Sequence, residues 1–212
     1  MRTARCRRAG LRINHKSSGT NDVGALVVVL QRWAPGLRGC PWRLQVYASL
    51  DAIAAAAPRL SDLMLPLVLD HFAMTRVQAA PTGARVQSLI GFMRSAKAYI
   101  KLSAAYRIGT CAATAQSLAR MWMQTRPDRV LWSSDGPHTN REPGKGALQT
   151  SAYVQVAHAE LAMQLAHWAP DTRSAALLLV DIRLPCTALN ASASRHHRTV
   201  RGRAMAWPSP DS

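Results

Sequence analysis

The chain has 212 residues, 48% of them hydrophobic, so it suits one domain with a real core, and no apolar run approaches the roughly 20 residues of a membrane span. Its formal net charge of +16 at pH 7 suggests nucleic acid as a partner, but most of the excess lies in residues 1–40 and 182–212, so a basic nucleic-acid-binding protein is kept only as an alternative. The basic start, residues 1–8, has no apolar stretch after it and so lacks the pattern of a secretory signal peptide.

The first predicted elements are a strand, a helix and a second strand. Residues 10–14 read as a short strand, and a helix capped by Asn21 or Asp22 then runs to about Trp33. Residues 42–47 are the second strand. The apolar face of this helix consists of Val23, Leu26, Val27 and Leu30.

An alanine-rich helix follows the second strand. Ser49 is its predicted cap, and Pro58 is expected to divide the helix, which covers residues 51–63. Residues 65–70 are the third strand, an apolar run that leads into an Asp-His pair. After a loop rich in alanine, proline and glycine, residues 85–94 form the next predicted helix.

The second half continues the alternation. The predicted elements are a strand at 98–103, a helix at 116–125, a strand at 130–132, and helices that begin at Ser151 and Pro170 and end near Trp168 and Leu179. Strands that alternate with helices indicate a parallel sheet with helices outside it, and hence an α/β fold.

Polar side chains collect where the predicted strands end. In parallel sheets the carboxyl ends of the strands share one rim, where the chemistry gathers. The residues at this rim are Arg12, Asn14, Tyr47, Asp70, His71, residues 103–107 and residues 135–138. Arginine, tyrosine, histidine and aspartate at one rim suit an anionic carboxylate substrate and a general base. Each of these residue types alone is more often solvated or structural, so the prediction of a site rests on their shared location at one rim.

The four cysteines are far apart in the sequence. They are Cys6, Cys40, Cys111 and Cys186, and none belongs to a C-x-x-C pair. This spacing indicates free thiols in the reducing cytoplasm rather than a zinc site or a disulfide framework.

Five segments carry a family resemblance, in order along the chain. They are residues 10–14 (G-[VL]-R-[FI]-N), 42–47 (W-H-[LV]-Q-[LV]-Y, with Arg43 for His), 67–72 (V-[VI]-D-H-[FM]), 100–107 ([VI]-K-L-S-G-x-Y-R) and 128–138 (D-R-[LV]-[LV]-W-G-[ST]-D-W-P-H, with Ser133 for Gly and Gly136 for Trp). The chain resembles the amidohydrolase-related family of TIM barrels, in the branch of the 2-pyrone-4,6-dicarboxylate lactonases. The last two motifs are the most specific.

The resemblance implies a hydrolase and a role for each matching residue. Asp135 would be the general base that activates a water for attack on a lactone or ester-like carbonyl, and His71 would polarise that carbonyl or bind a metal. The implied contacts with a small carboxylate or lactone substrate come from Arg12, Tyr47, Ser103, Arg107 and His138. Some members use zinc, whereas the dicarboxylate lactonases are thought to work without metal. Zinc held only by His71 and Asp135 would lack the usual three protein ligands.

The likeness covers only part of a barrel. The five strands correspond to the fourth to eighth strands of a (β/α)8 barrel, and no His-x-His pair stands ahead of Gly10. We therefore expect a partial TIM barrel that exposes two sheet edges and much of its inner face, and is poorly stable and inactive alone unless a complementing barrel fragment joins it. No membrane partner and no specific nucleic-acid partner are expected.

The two ends of the chain depart from the pattern. We expect a disordered basic start at residues 1–8, the barrel-like region at 9–181, and a disordered tail at 182–212. After Asp181, one choice of codons with a single base restored reads Asn-Pro-Pro-Ala-Leu-Tyr-Gly-Phe, which matches the family's last helix. We interpret the tail as out-of-frame sequence, and a gene remnant without function is a third alternative.

Overall fold

The computed structural model describes residues 10–16, 22–37, 43–63, 65–76, 82–109, 112–139, 149–169 and 171–181. The predictions for the two ends, residues 1–8 and 182–212, and those that involve Asn21, Trp42 and Pro170 lie outside the described residues.

Five parallel strands form a single sheet in chain order. They are β1 (Gly10–Asn14), β2 (Arg43–Tyr47), β3 (Leu67–Leu69), β4 (Ala98–Leu102) and β5 (Val130–Trp132). Each strand pairs with the next one along the chain, as in a (β/α)8 barrel. The α/β prediction is confirmed. In the part of the chain that the structure describes, β1 and β5 are the edges of an open sheet.

Helices fill the connections between the strands. They are α1 (Val23–Trp33), α2 (Leu50–Ala56), α3 (Ala84–Arg94), α4 (Ala112–Thr125), α5 (His158–Trp168) and α6 (Thr172–Ala176), followed by a π-helical turn at Leu177–Asp181. Short 3₁₀ turns lie at Pro35–Leu37, Ala57–Leu60, His71–Met74, Ala105–Ile108 and Pro127–Arg129. Every described helix is too short or too polar to cross a membrane.

Local capping explains where the first helices begin. The Asp22 carboxylate accepts a hydrogen bond from the Ala25 backbone N–H at 3.1 Å, and the Ser49 hydroxyl accepts one from Ala52 at 3.2 Å. The helix that Pro58 was expected to break does change there, from α2 into a 3₁₀ turn. These predictions are confirmed.

The start of α5 differs from its prediction. Ser151 was the expected start, but the helix begins at His158. Between them, Tyr153 pairs with Thr139 in an isolated antiparallel bridge, and the Val154 N–H donates to the His138 carbonyl at 2.9 Å. Aromatic and β-branched residues favour extended backbone, so this pairing replaces the first turns of the helix. It also connects the segment to the loop after β5.

The outer face of the sheet holds the main core. Leu44, Val46, Leu69 and Ile100 are at most 1% exposed and pack under the helices. Full burial of each such side chain contributes about 1.5–3 kcal/mol. Along β1 and β2 these apolar positions alternate with polar residues that point to the other face.

The inner face of the sheet has an apolar layer below a polar layer. Val68, Tyr99 and Leu131 form a separate cluster, 4%, 8% and 5% exposed, with Leu177 packed against it. The expectation that the open sheet would expose its inner face is therefore wrong for this layer, because the C-terminal turn packs against it. The polar layer above lies nearer the carboxyl ends of the strands and consists of Arg12, Gln45, Asp70 and Lys101.

Candidate active site

Left-handed backbone marks three adjacent strand ends. After β3, the four residues His71–Met74 all have φ between 51° and 56°; after β4, Ala104 has φ 49°; and after β5, Asp135 has φ 63°. Such a conformation costs a non-glycine residue about 1–2 kcal/mol. Ala104 occupies the position that is glycine in the matching motif. Strain of this kind concentrates at functional sites.

A buried carboxylate ties four strands together just below this rim. The Asp70 side chain is 1% exposed and receives Arg12 Nε and Nη2 at 3.0 Å on Oδ2 and Lys101 Nζ at 2.9 Å on Oδ1. Gln45 Nε2 lies 2.8 Å from both oxygens. Burial alone would raise the pKa of Asp70, but the charge of Lys101 and the hydrogen bonds from Gln45 and Lys101 outweigh burial and lower it. We call these four residues the Asp70 cluster.

His71 is buried beside that cluster with one ring nitrogen unused. Its Nδ1 lies 2.9 Å from the Ser103 hydroxyl, and its ring meets Tyr47 edge-on with centroids 5.0 Å apart. Its Nε2 is buried and has no hydrogen-bond partner among the described residues. Burial lowers the pKa of His71 to about 4, against the opposing effects of the Asp70 and Asp135 carboxylates. The imidazole is therefore neutral near pH 7.

Asp135 faces His71 from the end of β5 with its two oxygens in different surroundings. Oδ2 accepts hydrogen bonds from the Tyr106 hydroxyl and from Arg107 Nε, both at 3.0 Å. Oδ1 lies 3.9 Å from His71 Nε2, beyond hydrogen-bond distance, and accepts no hydrogen bond from the described residues. The site thus places a carboxylate oxygen next to an imidazole nitrogen, and neither atom has a hydrogen-bond partner among the described residues. We call Tyr106, Arg107 and Asp135 the Asp135 cluster.

Two arginines flank Tyr47. The guanidinium carbons of Arg12 and Arg107 lie 5.7 and 6.0 Å from the centre of its ring, within the range of a cation–π contact. The Arg12 side chain is 48% exposed, whereas that of Arg107 is 14% exposed. Arg107 Nη2 also donates to the backbone carbonyl and the hydroxyl of Thr139. Arg12 therefore has more nitrogen surface available to a ligand.

The structure brings most of the predicted site residues together. Arg12, Tyr47, His71, Ser103, Arg107 and Asp135 are connected by the contacts above. The contact of His138 with this group is through its backbone, whose N–H donates to the Asp135 carbonyl at 2.8 Å. Its Nδ1 is buried and has no hydrogen-bond partner among the described residues.

Two participants, Gln45 and Lys101, were missed by the sequence reasoning, and a third, Tyr106, lay in the predicted rim at residues 103–107 without a role. Gln45 lies two residues before Tyr47, and Lys101 two residues before Ser103, so the period of two along a strand places each on the inner face with a predicted site residue. That signal could have found them. Tyr106 stands beside Arg107 in the matched motif but carried no distinguishing pattern.

The described residues do not fit a zinc centre. His71 and Asp135 supply two donors, and the described part of the chain contains no group of three His, Cys, Asp or Glu side chains placed to hold a metal. Zinc sites in hydrolases commonly use three protein ligands. The two donors therefore fall one protein ligand short of such a centre.

Comparison with known proteins identifies related sequences. A family model described as Amidohydrolase matches residues 3–167. The 4-sulfomuconolactone hydrolase of Hydrogenophaga intermedia is 31% identical over 115 residues, which is 50% of this chain and 38% of that protein. The enzyme of the same name from Rhizobium radiobacter is 24% identical over 152 residues, 68% of this chain and 46% of that protein. The chain thus spans less than half the length of these relatives.

Solved structures share the fold. A probable 2-pyrone-4,6-dicarboxylic acid hydrolase from Acinetobacter baumannii, with citric acid bound, superposes with a TM-score of 0.64 at 17% identity, covering 85% of this chain and 64% of that one. An amidohydrolase from Burkholderia multivorans with bound zinc superposes with a TM-score of 0.61 at 20% identity, covering 86% of this chain and 65% of that one. The likeness confirms the prediction of part of a TIM barrel.

Proposed function

Because the chain belongs to the amidohydrolase family, we propose that its site hydrolyses a lactone or cyclic ester of a small carboxylic or dicarboxylic acid. The observation that carries this proposal is a pair of atoms at the strand ends, Asp135 Oδ1 and His71 Nε2. They lie 3.9 Å apart, and neither has a hydrogen-bond partner among the described residues. A base and a hydrogen-bond donor at this spacing can each contact one of the two oxygens of a tetrahedral intermediate.

The reaction divides between these two side chains. Asp135 takes a proton from a water on Oδ1, and the resulting hydroxide attacks the carbonyl carbon of the ring. His71 is neutral; with the Ser103 hydroxyl donating to Nδ1, its proton is on Nε2, and this N–H donates a hydrogen bond to the carbonyl oxygen as negative charge develops there. The ester C–O bond then breaks, and the proton held by Asp135 passes to the departing ring oxygen. The product is an open-chain hydroxy acid or its keto tautomer.

Arg12 is the proposed anchor for an acidic group of the substrate. Asp70 Oδ2 holds its Nε and Nη2, which fixes the guanidinium while leaving the side chain 48% exposed beside Tyr47. A guanidinium fixed in this way loses little entropy when it binds a carboxylate. The name of the curated relatives, 4-sulfomuconolactone hydrolase, describes an anionic lactone and supports this choice of substrate class.

The proposed location of the protein is the cytoplasm.

The proposed partner of the open sheet is a complementing barrel segment. β1 offers an edge with no strand beside it in the described region, where a further parallel strand would fit. Light scattering and hydrolysis assays with and without the remaining part of a relative's barrel test the partner. A rise in both mass and activity is expected, and an unchanged mass argues against it.

The first experiment measures ring opening of a panel of carboxylated lactones by the chain and by its Asp135→Asn variant. With the complementing barrel segment present, hydrolysis by the parent chain is expected, with a loss of roughly 10²–10⁴-fold in the variant, which removes the base and keeps its shape. Asp62→Asn, at an exposed aspartate in the connection that precedes β3, is the matched control. Full activity of a folded Asp135→Asn variant would reject Asp135 as the base.

A further inference from the structure

Tyr106 is the side chain of the site that the proposed reaction leaves without a role. It lies in the 3₁₀ turn Ala105–Ile108 after β4, and its hydroxyl donates to Asp135 Oδ2 at 3.0 Å. The turn follows directly on Ala104, whose left-handed backbone redirects the chain toward β5. A contact across 29 positions of sequence therefore depends on the geometry of two neighbouring strand ends.

Tyr106 and Arg107 together occupy one oxygen of the carboxylate. Arg107 Nε is the second donor to Oδ2, also at 3.0 Å. Two donors use the two lone pairs of that oxygen, so an incoming water finds its acceptor on Oδ1. Oδ1 is also the oxygen that faces His71 Nε2. The two donors thus make the oxygens unequal in the direction that the chemistry requires.

The same contacts change the interpretation of Arg107. Its Nε is bound to Asp135 and its Nη2 to Thr139, so two of its three nitrogens are already used within the protein. The left-handed backbone of Asp135, with φ 63°, also needs neighbouring contacts to hold it. Arg12 likewise uses Nε and Nη2 on Asp70, but its side chain is 48% exposed and that of Arg107 only 14%, so Arg107 is better suited to hold the base than to bind a substrate carboxylate.

We propose that Tyr106 is a positioning residue which, with Arg107, holds Asp135 by Oδ2 so that Oδ1 alone accepts the proton of the attacking water. This inference rests on the proposed function for its catalytic meaning, whereas the contact itself does not. Burial, and then the hydrogen bond to Asp135, raises the pKa of Tyr106 to about 12, so its hydroxyl remains a donor throughout the working pH range.

The kinetic test is Tyr106→Phe, which removes only the hydroxyl. We expect kcat to fall by roughly tenfold or more while KM changes by less than about twofold, because the loss is confined to the transition state. Tyr153→Phe, at a residue that is 60% exposed, is the matched control. A raised KM with unchanged kcat would overturn the inference.

A second measurement is independent of turnover. In a chain labelled with ¹³C at tyrosine Cζ, the Tyr106 resonance, assigned by its absence in Tyr106→Phe, should shift as the contacting carboxylate titrates in acid. Asp135→Asn should abolish that shift. A Tyr106 resonance that ignores the Asp135 change overturns the positioning role whether or not the chain hydrolyses lactones. A shift in a chain that hydrolyses nothing even with the complementing barrel segment present supports the placement of Asp135 by Tyr106 and rejects the proposed function instead.

Discussion

The Asp70 cluster and the Asp135 cluster contain the same kinds of residue but are suited to different roles. Each has an aspartate just after a strand and an arginine from another strand or its end, with contacts near 3.0 Å. Asp70 is 1% exposed and both of its oxygens are bound, whereas Asp135 is 19% exposed and keeps Oδ1 open. A saturated carboxylate can only hold the strands together. One with a free oxygen can also take a proton.

Charge balance separates the two clusters further. Asp70 faces two cations, Arg12 and Lys101, so the inner face next to it carries a net positive charge suited to an anion. Asp135 is paired with Arg107, and its two other close side-chain neighbours, the Tyr106 hydroxyl and the His71 imidazole, are neutral near pH 7. The proposed substrate attraction and the proposed proton transfer therefore belong to adjacent but different clusters.

The largest expected effect on stability comes from Asp70→Asn, which removes the charge of the buried carboxylate. It leaves Lys101, whose side chain is 18% exposed, and the half-exposed Arg12 without their buried carboxylate, so we expect the free energy of unfolding to fall by about 3 kcal/mol. Urea unfolding measures this loss. Asp128→Asn is the control: its carboxylate is 50% exposed and pairs with Arg126, so its loss should stay below about 1 kcal/mol. Equal losses in both variants would contradict the structural role of Asp70.

The pH dependence of stability sharpens the same contrast through His71. Its pKa is about 4 in the folded chain and 6.5 ordinarily, so between these values the unfolded chain binds a proton that the folded chain does not. The free energy of unfolding should therefore fall as the pH drops from about 7 to 4, by about 3 kcal/mol from this residue. The pKa of Asp70 is lowered instead, so its contribution is lost only below its ordinary range.

Urea unfolding at several pH values, with and without His71→Gln, isolates the histidine. The free energy of unfolding of the variant should decline less over that pH window than that of the parent chain. The variant lacks the buried imidazole, whereas its other titratable groups are unchanged. His167→Gln, at an exposed histidine in the last turn of α5, should decline as the parent does. Parallel curves for His71→Gln and the parent would show that the imidazole is not buried in the neutral form.

The smallest expected effects come from two alanines with left-handed backbone, one before and one after β4. Ala104→Gly relieves a left-handed conformation but removes a buried methyl group, so we expect a gain of only about 0.5 kcal/mol. Ala96→Gly, at φ 61° and half-buried, should gain about 1 kcal/mol. Thermal unfolding compares the two. Destabilisation by Ala96→Gly would show that the left-handed backbone there carries no strain.

Much of the fold could be predicted because its signals are local. The five strands are short apolar runs, and Asp22 and Ser49 cap α1 and α2 through contacts three residues along the chain. The wrong start of α5 has a non-local cause, since the bridge between Thr139 and Tyr153 competes with the helix. Helical spacing alone could not reveal that competitor.

The sequence by itself determined which strands form, their order and the residue types at their carboxyl ends, because strand period and motif spacing are local properties. Only the tertiary structure decided which carboxylate is saturated, which oxygen of Asp135 stays open, and that burial keeps His71 neutral. Those outcomes depend on contacts between positions 25 to 64 residues apart, such as Arg12 with Asp70, and on the burial of the Asp70 and His71 side chains. Both are properties of the packed sheet.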